Sequence, residues 1–323
     1  MPDSLVGLTH EQEDMDQAQL DQVASLLKIE LGTQARLEAC REVNRQQDYR
    51  VLIARLRHPD LQVVVKLAGP AATMACQFEH SAAVYRLVRS STSLPVPEVV
   101  AVDASGQAWP WRYLILTALP GIEWRVLRGR LDREETAEAQ GEIGASVARL
   151  HQLGLPAFGQ IGSLGQVLQP TTTGLAALKE HAARIIPAPR HCEAFLAVLE
   201  QRAASFENLQ HAGLCHEDLH HGNLLFARQA GRWRLSGILD FDKAWAGLSE
   251  ADLARLEIWR GMTSPHFWDA YLAAHRVEDG YPERRPVHQL LWCLEYGRNT
   301  PEHLADTRRV CQELGCPVIE TFA

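Results

Sequence analysis

No C-x-x-C pair, no G-x-G triplet and no apolar run near the ~20 residues of a membrane span occurs in this chain of 323 residues. Each absence excludes something. The seven cysteines (40, 76, 192, 215, 293, 311 and 316) are odd in number and scattered, which argues against a disulfide framework or a cysteine-based zinc module. Cys311 and Cys316 are read as two reduced thiols. Basic charge is short as well: 32 Lys and Arg against 40 Asp and Glu leave a formal charge of −8. A nucleic-acid binder or a partner of anionic membrane is therefore not expected. The opening MPDSLVGLTHEQEDMDQ has neither a basic n-region nor an apolar h-region, so the expectation is a cytoplasmic protein without a secretory signal.

What is present is an ordinary globular composition, 46% hydrophobic and 22% charged, in a chain long enough for two lobes. Thr9 and Gln12 have capping-box spacing, and Leu20, Val23 and Leu27 continue a helical stripe, so a first helix is predicted from about residue 10 to 31. Strands at 49–57 and 61–67 flank a His58-Pro59-Asp60 turn. Residues 71–89 return to helical spacing, and EVVAVDASG and WRYLILTAL are strand-like. Up to about residue 118 the chain thus reads as a small sheet with one inserted helix. Beyond it helices dominate, at 175–186, 191–206, 251–260, 265–276 and 286–297, with an amphipathic stripe at Ile143, Val147 and Leu150. A strand-rich island, NLLFARQAGRWRLSGILDF, lies among them, turning at Gln229-Ala230-Gly231.

The stretch LCHEDLHHGNLLF, 214–226, admits two chemistries. His216-Glu217-x-x-His220 has zinc-hydrolase spacing, in which two histidines one helical turn apart hold the metal and the Glu is general base. His216-x-Asp218, with Asn223 five residues after the Asp, has the spacing of a kinase catalytic loop. The zinc motif needs a helix of several turns. Gly213 and His221-Gly222-Asn223 flank this one, and strand-like sequence follows, which disfavours it.

The kinase reading needs further parts in a set order. A cation at a strand end must grip the α/β-phosphates, and Lys66 closes the run VVVK. A carboxylate on the next helix must fix that lysine, and Glu79 lies there. Asp218 and Asn223 meet the loop requirement, and Asp240 in GILDFD supplies a metal-binding carboxylate beyond a following strand. Lys66 or Glu79 alone would be an ordinary surface residue. A carboxylate closing the apolar run GILDF is costly without a partner.

These residues resemble the aminoglycoside phosphotransferase family, small-molecule kinases similar in fold to protein kinases. The matching text is VVVKLA, FEHSAAVYRLVR, LPVPEVVAVD, YLILTALPG, ASVARLHQLG, LCHEDLHHGNLLF, GILDFDKAWAG and ADLARLE, spanning roughly residues 45 to 260. The resemblance implies an α+β, bilobal, protein-kinase-like fold. An antiparallel-sheet nucleotide lobe with one helix would occupy residues 1–118, and a larger, mainly helical catalytic and acceptor lobe residues 119–323. It implies Asp218 as catalytic base, Asn223 and Asp240 as magnesium ligands, and Lys66 with Glu79 as the phosphate-gripping ion pair. It further implies adenine contacts from the backbone of Thr117 and Leu119, support of the loop by His216, and a tie to it from Asp252.

Departures from the pattern shape the rest. With no G-x-G, the phosphate turn is placed at 41–49, where Asn44 could offer donors to ATP, or to GTP in its place. Glu217 adds a carboxylate beside Asp218, and Asp242 stands where a protein kinase has Gly, to meet a metal or to face solvent. Only nine residues separate Asp242 from Asp252, too few for an activation segment that binds a peptide. The acceptor is therefore a small-molecule hydroxyl: an aminoglycoside or other antibiotic, an amino alcohol or a sugar metabolite, carried by a monomer or homodimer. An acidic body suits a cationic acceptor, and Glu257, Asp269 and Glu295 are candidates to line its pocket. Two other classes stay open, a nucleotide-binding pseudokinase without turnover and the zinc hydrolase.

Overall fold

A computed structural model describes residues 16–72 and 77–322, and the Thr9–Gln12 capping box falls outside them. The first helix, α1 (Gln17–Leu31), starts instead from Asp16, whose carboxylate caps Gln19 N–H while the Gln19 side chain returns to Asp16 N–H. Its Val23, Leu26 and Leu27 are buried.

Five strands follow: β1 (Arg36–Gln46), β2 (Tyr49–His58), β3 (Leu61–Ala68), β4 (Val99–Asp103) and β5 (Arg112–Thr117), with helix α2 (Phe78–Ser91) inserted between β3 and β4. They form an antiparallel sheet ordered β1-β2-β3-β5-β4. Strand alternation sends Leu52, Ala54 and Leu56, with Val63, Val65 and Leu67, into one core with α1. The same period puts Lys66 on the opposite face, paired in register with Leu114.

Two differences from the sequence expectations matter here. Of the turn placed at 41–49, residues 41–46 are the end of β1, and Asn44 is an exposed strand residue opposite Val51 at a register shift. The turn itself is only Gln47-Asp48. β1 gives no signal in the sequence because it is an edge strand, half-exposed throughout, without period-2 apolar alternation. Helix α2 begins at Phe78, later than the periodicity at 71–89 suggests.

By contact the chain divides into two units. The first holds the described residues up to Leu131 together with Gly162–Gly165 and Gly222–Asp242. The added piece is a hairpin, Leu224–Gln229 against Arg232–Ile238, extended by Ile122–Glu123. Its turn residues Ala230 and Gly231 have φ of 49° and 83°, the positive values a two-residue hairpin needs.

The second unit holds the remaining described residues. Its core gathers Phe158, Phe195, Phe206, Trp245, Leu290 and Leu291 among others. Helices Arg133–His151, Gly174–Ile185, Pro189–Gln201, Glu250–Ile258, Pro265–Ala274 and Tyr281–Tyr296 build it, with a sheet of short strands that includes Ala212–Cys215 and Trp245–Gly247. Gly144 lets two helices touch: a Cβ there would run into the backbone of Phe267. The sequence expectations omit a last helix, Pro301–Leu314, although Thr300 as N-cap, Pro301 at N1 and Gly315 at the C-cap mark both its ends. The six described cysteines are free thiols. Among the described residues no helix is long and apolar enough to cross a membrane.

Candidate active site

In the first unit the sequence candidates Lys66 and Asp240 come together. Lys66 Nζ donates to Asp240 Oδ1 at 2.7 Å and to Asp242 Oδ2 at 2.8 Å. Burial works against the ammonium, but these two carboxylates outweigh it and hold the lysine pKa well above its ordinary value. Asp242 shifts upward, because burial and neighbouring Asp240 outweigh the attraction of Lys66. Asp240 has φ +67°, a left-handed backbone unusual for a non-glycine residue, and its N–H donates to the Tyr85 hydroxyl at 2.9 Å. Leu239 N–H donates to the carbonyl of Asn223, and Ile238 N–H to that of Pro95, so the strand end carrying Asp240 is fixed on two sides.

The expected partner of Lys66 is corrected. Glu79 is exposed on α2, and the lysine is held by Asp240 and Asp242 instead. Positions facing the sheet from α2 are taken by buried Phe78, Ser81, Ala82 and Tyr85, which turns Glu79 to solvent. At the other end of β5, Thr117 N–H is engaged with the Glu98 carbonyl, whereas Leu119 N–H meets no backbone acceptor among the described residues.

In the second unit the segment after strand Ala212–Cys215 forms a fixed loop. Asp252, fully buried at the start of helix Glu250–Ile258, accepts from His216 N–H at 2.7 Å and from Glu217 N–H at 2.8 Å. His151 Nε2 lies 3.2 Å from the same carboxylate and its Nδ1 2.9 Å from the Tyr271 hydroxyl. The buried His216 ring accepts from Asp218 N–H through Nδ1, at 3.2 Å. His221 Nε2 is 2.9 Å from the Arg260 carbonyl.

Glu217 does not crowd Asp218. With φ +66° it turns inward, where Trp245 Nε1 and Arg255 Nη2 donate to it and His181 lies 3.4 Å away. Burial opposes its charge, yet His181 and Arg255 hold its carboxyl well below the usual range.

Asp218 accepts from the Tyr296 hydroxyl at 2.7 Å, and that hydroxyl accepts from Lys243 Nζ at 2.9 Å. Burial pushes against ionisation, but Lys243, the Tyr296 hydrogen bond and Arg255 together keep the Asp218 pKa below its ordinary value. Lys243 also donates to Glu295 Oε1 at 2.7 Å, and Arg255 to Glu295 Oε2 at 2.7 Å. Glu295 is thus neutralised rather than open to an ammonium group. Glu257 is likewise engaged by Tyr281 and Arg285, and Asp269 is merely exposed. Tyr296 has no spacing signal in the sequence. Lys243 and Arg255 lie within GILDFDKAWAG and ADLARLE, where nothing separates them from surface cations.

The zinc reading fails on geometry. Residues 216–221 are loop, not helix, so His216 and His220 do not share a helical face. Among the described residues no group of three or more His, Cys, Asp or Glu is placed to hold a metal ion.

Comparison with known proteins bears on the family and the fold. A phosphotransferase enzyme family model matches residues 36–287. The fold is similar to a provisional fructosamine-3-kinase of Thermobifida fusca YX-ER1, at 22% identity and a TM-score of 0.60 over 85% of this chain and 91% of that one. A second provisional fructosamine-3-kinase, from Haemophilus somnus 129PT, gives 14% identity and a TM-score of 0.65 over 91% and 97% of the two chains. A thermostable mutant of aminoglycoside phosphotransferase APH(4)-Ia, in ternary complex with AMP-PNP and hygromycin B, gives 18% and 0.60 over 85% and 89%. Identities this low establish a shared kinase-like fold.

Proposed function

The chain belongs to the phosphotransferase enzyme family, and from that premise we propose that it is an ATP-dependent kinase acting on the hydroxyl of a small molecule. Residues 1–118 make its nucleotide lobe, and residues 119–323 its catalytic and acceptor lobe. The observation that carries this reading is Lys66, a buried ammonium near the end of β3, held by two carboxylates on the sheet face away from the α1 core. A cation fixed in that way suits the α/β-phosphates of a nucleotide.

The donor set also fits magnesium. Asp242 Oδ1 is buried with no hydrogen-bond partner, and a hard divalent ion seeks such carboxylate and amide oxygens. Asp240 and Asn223 would hold the ion, with Asp242 at hand. Bound there, magnesium spreads the negative charge of the phosphates.

In the reaction the acceptor oxygen forms a bond to the γ-phosphorus and the bond from that phosphorus to the β,γ-bridging oxygen breaks, releasing ADP. The hydroxyl proton passes to Asp218. A carboxylate kept below its ordinary pKa is a weak base, which suits a loose transition state in which orientation matters more than early proton removal. The loop carrying Asp218 is held by Asp252 through two backbone hydrogen bonds, so the carboxylate is positioned before the acceptor arrives. At the nucleotide end, Leu119 N–H is available to adenine. Thr117 has only its carbonyl to offer, since its N–H is engaged.

A thermal-shift titration with ATP and magnesium tests this. Mg-ATP raises the melting temperature of the wild-type protein and not of Asp240→Ala. Absence of any shift in the wild type, or zinc-only stabilisation reversed by a chelator, overturns the proposal.

A further inference from the structure

Beside Asp218 the glutamates are held by cations, and one nearby cation, Arg298, is not held by a carboxylate among the described residues. Glu217 is enclosed by Arg255, His181 and Trp245, and Glu295 by Arg255 and Lys243. Three cations surround the Tyr296 ring: Lys243 Nζ is 4.3 Å from its centroid, the Arg298 guanidinium carbon 5.1 Å and that of Arg255 5.8 Å. Two of these lack a full set of partners. Arg255 Nη1 is buried with no hydrogen-bond acceptor, although it lies 3.9 Å from Asp218 Oδ1. Arg298 follows helix Tyr281–Tyr296, is exposed, and has no carboxylate partner among the described residues. One tyrosine ring separates it from the Asp218 carboxylate.

Lys243 and Arg255 are balanced by Glu295 and Glu217, so an ammonium group placed against Tyr296 would meet the uncompensated charge of Arg298, with no unpaired glutamate to receive it. A polycationic acceptor needs the reverse. An anionic group there finds in Arg298 a planar donor fork suited to carboxylate or phosphate, with the acceptor hydroxyl directed to Asp218. Exposed as it is, Arg298 can be substituted without opening the core.

Resting on the phosphotransferase reading above, we infer that the acceptor is an anionic alcohol whose carboxylate or phosphate is held by Arg298. Arg298 is the specificity-determining residue.

The test is a panel of alcohols matched in size and differing in charge: sorbitol, glucamine, gluconate, sorbitol 6-phosphate and, as a polycation, hygromycin B. ADP release is followed with each acceptor. Gluconate or sorbitol 6-phosphate, whichever anionic group the site takes, is used with at least about tenfold higher kcat/KM than sorbitol. Glucamine and hygromycin B are poorer still. In Arg298→Gln the anionic advantage shrinks about tenfold, chiefly through KM, as expected for a charge that binds ground and transition states alike. In Arg298→Glu the order reverses toward glucamine, and melting temperatures confirm that both variants fold. Preference for glucamine or hygromycin B, or an anionic advantage untouched by Arg298→Gln, overturns the inference and leaves the phosphotransferase reading in place. ADP release with no member of any charge overturns both.

Discussion

The Lys66 ammonium lies 2.8 Å from Asp242 Oδ2, a carboxylate that follows the hairpin strand Arg232–Ile238 and not the neighbouring helix. The lysine proposed to grip the nucleotide is therefore anchored by the residue two places beyond Asp240, while Glu79 looks out to solvent.

That anchoring separates two substitutions. Glu79→Gln should leave KM for ATP within about twofold of wild type. Asp242→Asn should raise it about tenfold, the loss of one charge-assisted hydrogen bond. Steady-state kinetics with varied ATP decide the matter, and equal effects of the two changes would reject the anchoring role of Asp242.

Asp218→Asn keeps the size of the side chain and its place beside Tyr296 but cannot take a proton. Turnover should fall by about 10²–10⁴ with the melting temperature nearly unchanged. Near-wild-type turnover would remove Asp218 from the chemistry.

Tyr296→Phe deletes one of the interactions that hold the Asp218 carboxyl below its ordinary pKa. The group ionises as pH rises, so activity that needs the carboxylate is present above its pKa and lost as pH falls through it. Without the phenol that pKa moves back upward. The acid limb of the kcat/KM profile should shift to higher pH, and a limb that stays in place would show that Tyr296 does not act on Asp218.

Asp252→Ala leaves the buried N–H groups of His216 and Glu217 without their acceptor. Two orphaned donors at roughly 1–3 kcal/mol each give an expected loss of about 2–6 kcal/mol in stability. Urea denaturation measures it. A variant as stable as wild type would mean that water replaces the carboxylate and the loop needs no clamp.

Much of the fold and of the site is legible in the amino-acid sequence alone. In VVVK and GILDFD strand-forming residues deliver a charged group at or just beyond a strand, which β propensity with apolar runs reports directly, and HEDLHHGN is legible by its spacing as a loop. The helices with strong apolar stripes are legible for the same reason. β1 is not, because a half-exposed edge strand needs no alternation. Nor is the Pro301–Leu314 helix, because two polar residues, His303 and Thr307, hold the first places of its buried stripe.

The sequence by itself determined the class of the protein: a chain with a strand lysine, a loop aspartate and a second carboxylate beyond a following strand, in kinase order. Only the tertiary structure decided which charges meet. Nearness in sequence points to Glu79, yet Lys66 pairs with residues 174 and 176 positions away. Tyr296 reaches Asp218 across 78 positions, and Glu295 is consumed by cations from two other segments. Local pattern reports what one strand or helix buries. Charge pairing in a folded protein depends on which elements close around each group, and burial then forces every such charge to find a partner, however far away it lies in the chain.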